Sequence, residues 1–192
     1  MDFIQKNLDN IRNIIEFFLN LHPFLKTRKE TLSPLFFYMV FKEKVYNLLE
    51  AALDARPDLF LIECKVSVDN HITILLDGDK GVNLKSCVEI SREIEHNLDR
   101  GVRDFSLEVA SAGVGSPLQK TRQFTKNLGR KLRVDREAMP ILEGTLVDTN
   151  EYSFTLEWKQ REPKPVGKGK VTVIKKETIS YNEIKSAKVL VK

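Results

Sequence analysis

Residues 107–124, LEVASAGVGSPLQKTRQF, contain the turn that decides how this chain is organised. Alternating apolar residues, Leu107 and Val109 among them, predict a β-strand that enters a turn rich in glycine, serine and proline. Polar and basic residues follow that turn. Such a turn has three interpretations: a phosphate-binding loop, a nucleophile elbow, or a joint between two domains.

The turn lacks the residues that a phosphate-binding loop needs. Gly113 and Gly115 begin a G-x-G-x-x-G pattern, but Leu118 occupies the position of the third glycine. The lysine and the Ser/Thr of a P-loop are absent, and Pro117 has no backbone N–H to donate to a phosphate. We therefore set nucleotide binding aside.

The sequence also lacks the residue patterns that a catalytic site would need. No G-x-S-x-G elbow surrounds Ser111 or Ser116, and the three histidines fall at positions typical of a solvated surface. The two cysteines, Cys64 and Cys87, form no C-x-x-C pair, so neither a disulfide framework nor a zinc site is indicated. We predict no enzymatic activity, no catalytic residue, no metal and no cofactor.

The third interpretation, an interdomain joint, agrees with the charge distribution. Residues 39–117 carry 9 Lys and Arg against 14 Asp and Glu, a net charge of −5, whereas residues 118–192 carry 17 against 9, a net charge of +8. This acidic-to-basic change coincides with the turn and predicts different partners for the two halves, with nucleic-acid phosphate for the second. The predicted joint residues are Ser111, Gly113, Gly115, Ser116 and Pro117.

The first 38 residues differ in character from the rest of the chain. Apolar residues from Ile4 to Phe18 recur at helical spacing and predict an amphipathic helix. Residues 1–38 could be an extension, part of a mis-assigned start ahead of Met39, a docking helix or an interfacial membrane helix. We expect this segment to be dispensable for folding, and we expect no membrane span, because no run approaches the ~20 apolar residues required.

Residues 39–115 predict an α/β domain in the order helix–strand–strand–helix–strand. The first helix covers residues 40–53, and two alternating runs at 60–66 and 72–76 form a hairpin. Asn83 can cap the second helix, and the third strand covers residues 105–109.

Residues 116–192 predict a small Sm-like or SH3-like β-barrel, which makes the whole chain α+β. A short helix at 119–128 comes first, and Gly144 marks a bend in one of the strands. Phe154 and Trp158 share one face of a strand and are predicted to lie in the barrel core. Five short strands are expected, at residues 131–134, 142–147, 153–158, 171–179 and 187–191.

Several motifs together resemble the ribosome maturation factor family RimP, over nearly all of residues 39–191. Residues 108–118 are similar to the family signature E-V-S-S-P-G-x-x-R-P-L, with Ala110, Ala112 and Ser116 as departures from it. Further matches are residues 58–63, 88–92, 97–99, Phe124, Gly129, 144–146 and 184–188.

This resemblance implies a non-enzymatic assembly factor of the cytoplasm. Such a factor binds the immature 30S small ribosomal subunit and assists assembly of its 16S rRNA and proteins. We expect a monomer whose acidic first domain contacts a basic ribosomal protein while the second domain holds rRNA phosphate. The candidate RNA- or ribosome-binding residues are Arg122, Lys126, Arg130, Lys131, Arg133, Lys164, Lys168 and Lys170. The alternative is a protein–protein adaptor whose barrel binds a peptide and makes no RNA contact.

Overall fold

The computed structural model describes residues 5, 8, 9, 11–13, 16, 34–99, 104–137, 139–164 and 168–191. Most of the predicted segment 1–38 lies outside the described residues. The chain divides into two compact units. Residues 1–77 and 81–111 form the first, and residues 78–80 and 112–192 form the second, so the division falls between Ser111 and Ala112. No helix within the described part of the chain is long and apolar enough to cross a membrane.

The first unit has the predicted order of helices and strands. Helix α1 (Pro34–Asp54) precedes strands β1 (Leu59–Val66) and β2 (His71–Gly78), followed by helix α2 (Leu84–Asn97) and strand β3 (Ser106–Ser111). The sheet order is β1-β2-β3, and β3 runs parallel to β2.

Local sequence signals explain where these helices begin. The Asn83 side chain accepts a 2.7 Å hydrogen bond from the Ser86 backbone N–H, which confirms the predicted cap of α2. Helix α1 begins at Pro34, earlier than the predicted start near Met39. Proline is compatible with the first helical position because that residue has no intrahelical N–H bond to lose.

The first core lies between the helices and the sheet, and it includes residues from the N-terminal segment. Leu8 and Ile11 are buried in the same cluster as Val45 and Leu49 of α1 and Ile72 of β2. Leu8 and Ile11 of the N-terminal segment therefore contribute to this core, and we expect their loss to destabilise the first unit.

The second unit contains one short helix and a five-stranded antiparallel sheet. The sheet order is β7-β6-β5-β4-β8. Its elements are α3 (Thr121–Lys126), β4 (Lys131–Arg136), β5 (Leu142–Thr149), β6 (Ser153–Pro163), β7 (Lys170–Ser180), a 3₁₀ turn (Tyr181–Glu183) and β8 (Ile184–Val189).

This sheet curls around one core. Phe154 is buried and Trp158 packs against the cluster, as predicted, together with residues of all five strands. Arg136 of β4 forms an ion pair with Glu177 of β7. In a flat sheet these strands would lie about 14 Å apart, since each neighbour adds ~4.8 Å, so the ion pair requires strong curvature. Within the described residues no ladder joins β7 to β8, and a closed barrel is not formed.

Strands β6 and β7 are longer than predicted. The two predicted strands covered residues 153–158 and 171–179, but Arg161 pairs with Thr172 and Pro163 pairs with Lys170. The prediction was wrong because charged residues on both faces hide the alternation by which a half-buried strand is identified.

Candidate nucleic-acid interface

Strand β4 separates apolar from cationic side chains. Leu132 and Val134 are buried in the second core, whereas Lys131 and Arg133 are exposed on the opposite face. This follows from the two-residue period of a β-strand. Two predicted RNA-binding residues therefore lie on the solvent-facing side of the sheet, which we call the outer face.

The register of β4 with its two neighbours places like charges side by side. Arg133 lies opposite Lys188 of β8 and, on its other side, opposite Glu143 of β5. The Glu143 carboxylate is 3.5 Å from the ammonium of Lys131. Like charges directly opposite each other in a sheet are unfavourable, so Arg133 and Lys188 create a local excess of positive charge. Lys188 was not among the predicted binding residues.

Arg130 lies in the turn that connects α3 to β4, directly after Gly129. Gly129 has φ +79°, a conformation that favours glycine, and its N–H donates to the Leu146 carbonyl at 2.8 Å. The Arg130 carbonyl accepts from the Leu146 N–H at 2.9 Å. The chain thereby passes from α3 into β4, and the Arg130 side chain is exposed.

Two other predicted cations lie close to an acidic residue. The Arg122 guanidinium donates two hydrogen bonds to Asp79, one of them from Nε to Oδ1 at 3.0 Å. Arg122 holds the pKa of the Asp79 carboxyl below its ordinary range, and Lys126 adds to the effect. Because Asp79 compensates part of their charge, Arg122 and Lys126 are weaker anion-binding candidates than Arg133.

The last three predicted residues lie at the tip of the β6–β7 hairpin. Lys164, Lys168 and Lys170 are exposed, and the Lys164 N–H donates to the Gly169 carbonyl at 3.1 Å. Residues 165–167 are outside the described part of the chain. Lys159 and Arg161 of β6 are also exposed. Neither was among the predicted binding residues, although the sequence places Arg161 in the same cationic segment as Lys164, Lys168 and Lys170.

Ser111 ends β3, and the other four predicted joint residues lie between β3 and α3. The Ser116 N–H donates to the Gly113 carbonyl at 2.9 Å and closes a turn. Neither Gly113 nor Gly115 has a positive φ, and a Cβ at either would meet nothing closer than 3.6 Å. Pro117 then forms a bridge with Lys188, and the next residue hydrogen-bonds to β8.

Groups that could support catalysis or metal binding are poorly placed. Among the described residues no cluster of His, Cys, Asp and Glu could hold a metal ion. His71 Nδ1 is 2.6 Å from Ser106 Oγ, but this contact lies on the exposed surface. Burial raises the pKa of the Cys64 thiol to about 12, which keeps the thiol protonated and unreactive.

Comparison with known proteins agrees with the resemblance in the sequence. The family model for the RimP N-terminal domain matches residues 47–115. Ribosome maturation factor RimP of Flavobacterium psychrophilum is 49% identical over 153 residues, which cover 80% of this chain and 99% of the relative. The Christiangramia forsetii protein of the same name is 51% identical over 148 residues, covering 77% and 96%. The Porphyromonas gingivalis protein is 34% identical over 96 residues, covering 50% and 62%. This chain therefore belongs to the RimP family of ribosome maturation factors.

Proposed function

We propose that this protein assists maturation of the small ribosomal subunit by binding RNA of the immature 30S particle through the outer face of its second unit. The observation that carries the proposal is the pairing of Arg133 with Lys188 on exposed surface. Bringing two cations together is unfavourable in the free protein, and an RNA phosphate between them would relieve the repulsion. Lys131 lies on the same face, where it forms an ion pair with Glu143.

The wider proposal follows the family relationship. The curled five-stranded sheet of the second unit is interpreted as an open form of an Sm-like barrel, and the RNA as 16S rRNA. The acidic character of residues 39–117 suits a basic ribosomal protein as the partner of the first unit. The protein acts as a cytoplasmic monomer, without enzymatic chemistry, by holding RNA and protein during assembly.

The test is a charge reversal at the opposed pair. Arg133→Glu with Lys188→Glu should still fold, since both side chains are exposed, although the new carboxylate opposite Glu143 lowers stability by up to about 1 kcal/mol. The variant should weaken binding to purified immature small subunits. The slope of log affinity against log salt should become shallower by about 0.7 to 0.9 for each phosphate contact that is lost. The matched control is Lys44→Glu with Lys85→Glu, which makes the same change in net charge on exposed residues of the first unit.

The two variants distinguish the proposal from its rival. Weaker binding by the Arg133/Lys188 variant alone would support RNA binding at the outer face. Binding equal to the control at every salt concentration would contradict it, and the protein–protein adaptor would then be the better hypothesis. Hydrolytic activity of the purified protein toward RNA or nucleotides would contradict the non-enzymatic role.

A further inference from the structure

Strands β6 and β7 extend beyond the rest of the sheet as a two-stranded ribbon. They pair over their full length, from Ser153 with Ser180 to Pro163 with Lys170. The pairing of β5 with β6 ends at Glu157. Beyond that point β6 has only β7 as a neighbouring strand among the described residues. We call residues 159–163 and 170–174 the ribbon.

The two faces of the ribbon differ in charge. Cross-strand pairs put Lys159, Arg161 and Lys170 on the same outer face as Arg133, together with the uncharged Pro163, Thr172 and Ile174. Glu162, the one acidic residue of the ribbon, lies on the opposite face, where it forms an ion pair with Lys175. The outer face of the ribbon thus has three cations and no acid.

No described part of the chain covers this outer face. Its described side chains are all exposed, including Ile174, which is 62% exposed. A two-stranded hairpin without a core is marginally stable in water, so its own packing does not account for this extension of the sheet.

We infer that the outer face of the ribbon is a second RNA-binding site, which follows a single-stranded phosphate backbone. Lys159 and Arg161 are two residues apart on one strand face, about 6.7 Å, a spacing comparable with that of successive phosphates in an RNA strand. Ile174, directly opposite Lys159, offers an apolar contact for an unstacked base. The positive charge favours RNA over a protein strand added to the β7 edge.

The two sites would make attachment to RNA bivalent; this inference rests on the proposed function of the Arg133–Lys188 site. Both sites lie on the outer face of one sheet. The cations Lys131 and Lys176 of that face are paired with Glu143 and Glu157, so the unpaired positive charge is divided into two separate sites. A strand long enough to reach both sites gains from the effective concentration of the second contact. A short strand occupies one site at a time.

The experiment compares two single-stranded RNA probes, of about 6 and about 20 nucleotides, with fluorescence anisotropy as the readout. The ribbon variant is Lys159→Glu with Arg161→Glu, and Lys159→Gln with Arg161→Gln tests whether charge removal alone suffices. We expect about a twofold loss of affinity for the short probe and at least a tenfold loss for the long one. The log–log salt slope with the long probe should fall by about 1.4.

The Arg133/Lys188 reversal and the Lys44/Lys85 control are measured with the same two RNA probes as the ribbon variants. Ribbon variants that bind the long probe like the control, while the Arg133/Lys188 reversal is weakened, would refute the second site and leave the proposed function intact. If every variant binds like the control, the proposed function fails as well. A ribbon variant that keeps its RNA affinity but loses small subunits would show that the ribbon contacts protein, which also refutes the inference.

Discussion

The burial of Leu8 predicts that the N-terminal segment stabilises the first unit. Leu8 is 1% exposed and belongs to the core cluster of the first unit. Replacing a fully buried leucine by alanine costs about 2–5 kcal/mol, because the transfer free energy is lost and a cavity remains. The ion pair between Arg12 and Glu43, at 3.3 Å on the surface, contributes at most about 1 kcal/mol. Apolar packing therefore dominates the attachment of this segment to α1.

The two units give different spectroscopic signals, so the effect of Leu8→Ala on the stability of each unit can be measured separately. The long helices α1 and α2 belong to the first unit, so far-UV circular dichroism reports mainly its unfolding. Trp158, the one tryptophan of the chain, packs against the second core, and its fluorescence reports the second unit. In urea, Leu8→Ala should lower the unfolding free energy seen by circular dichroism and leave the free energy seen by fluorescence unchanged.

The comparison variant is Asn13→Ala, at an exposed position of the same segment. It should stay within about 0.5 kcal/mol of the wild type, as surface substitutions usually do. The packing argument would be refuted if Leu8→Ala behaved like Asn13→Ala in the circular dichroism transition. Residues 1–38 would then be dispensable, as the sequence analysis expected.

Two further predictions concern the second unit. A Cβ at Gly144 would lie 3.0 Å from the Glu157 carbonyl oxygen and 3.2 Å from Leu156 Cβ. Gly144→Ala should therefore destabilise this unit by about 1–3 kcal/mol. An unchanged unfolding transition of Trp158 fluorescence would contradict this prediction. Arg122 lowers the pKa of Asp79 in the folded protein below the ordinary value of 3.8. At a pH above 3.8 the ion pair should therefore stabilise the fold, by less than about 1 kcal/mol. This stabilisation should disappear as the pH falls through the pKa that Asp79 has in the folded protein. Asp79→Asn should thus be less stable than the wild type at neutral pH and equal to it in strong acid; a stability difference that persists in acid would exclude the ion pair as its cause.

Local signals in the sequence determined most of the secondary structure. The spacing of apolar residues predicted the order of elements in the first unit, and Asn83 predicted the start of α2 because its side chain bonds to a backbone N–H three residues away. The sequence around Leu132 and Val134 likewise predicted a strand, and the structure places Lys131 and Arg133 on its other face. These features depend on contacts between residues close together in the chain, so the sequence alone suffices to predict them.

The distribution of charge along the chain was also visible in the sequence, but its arrangement in space was not. Sequence reasoning selected Arg122 and Arg133 alike. Folding brings Asp79 to Arg122, and it brings Lys188 to Arg133. Both partners are distant in sequence, so composition could not reveal that Arg122 is paired with Asp79, whereas Arg133 lies between a like charge, Lys188, and an acidic residue, Glu143.

Tertiary structure alone decided the strand register and the composition of each core. Lys188 became part of the candidate site only through the pairing of β4 with β8, since a shift of one residue would turn its side chain to the other face of the sheet. Leu8 entered the first core only because α1 and the first sheet form a surface against which it packs. Register and packing depend on long-range contacts, whose energies no local pattern of residues contains.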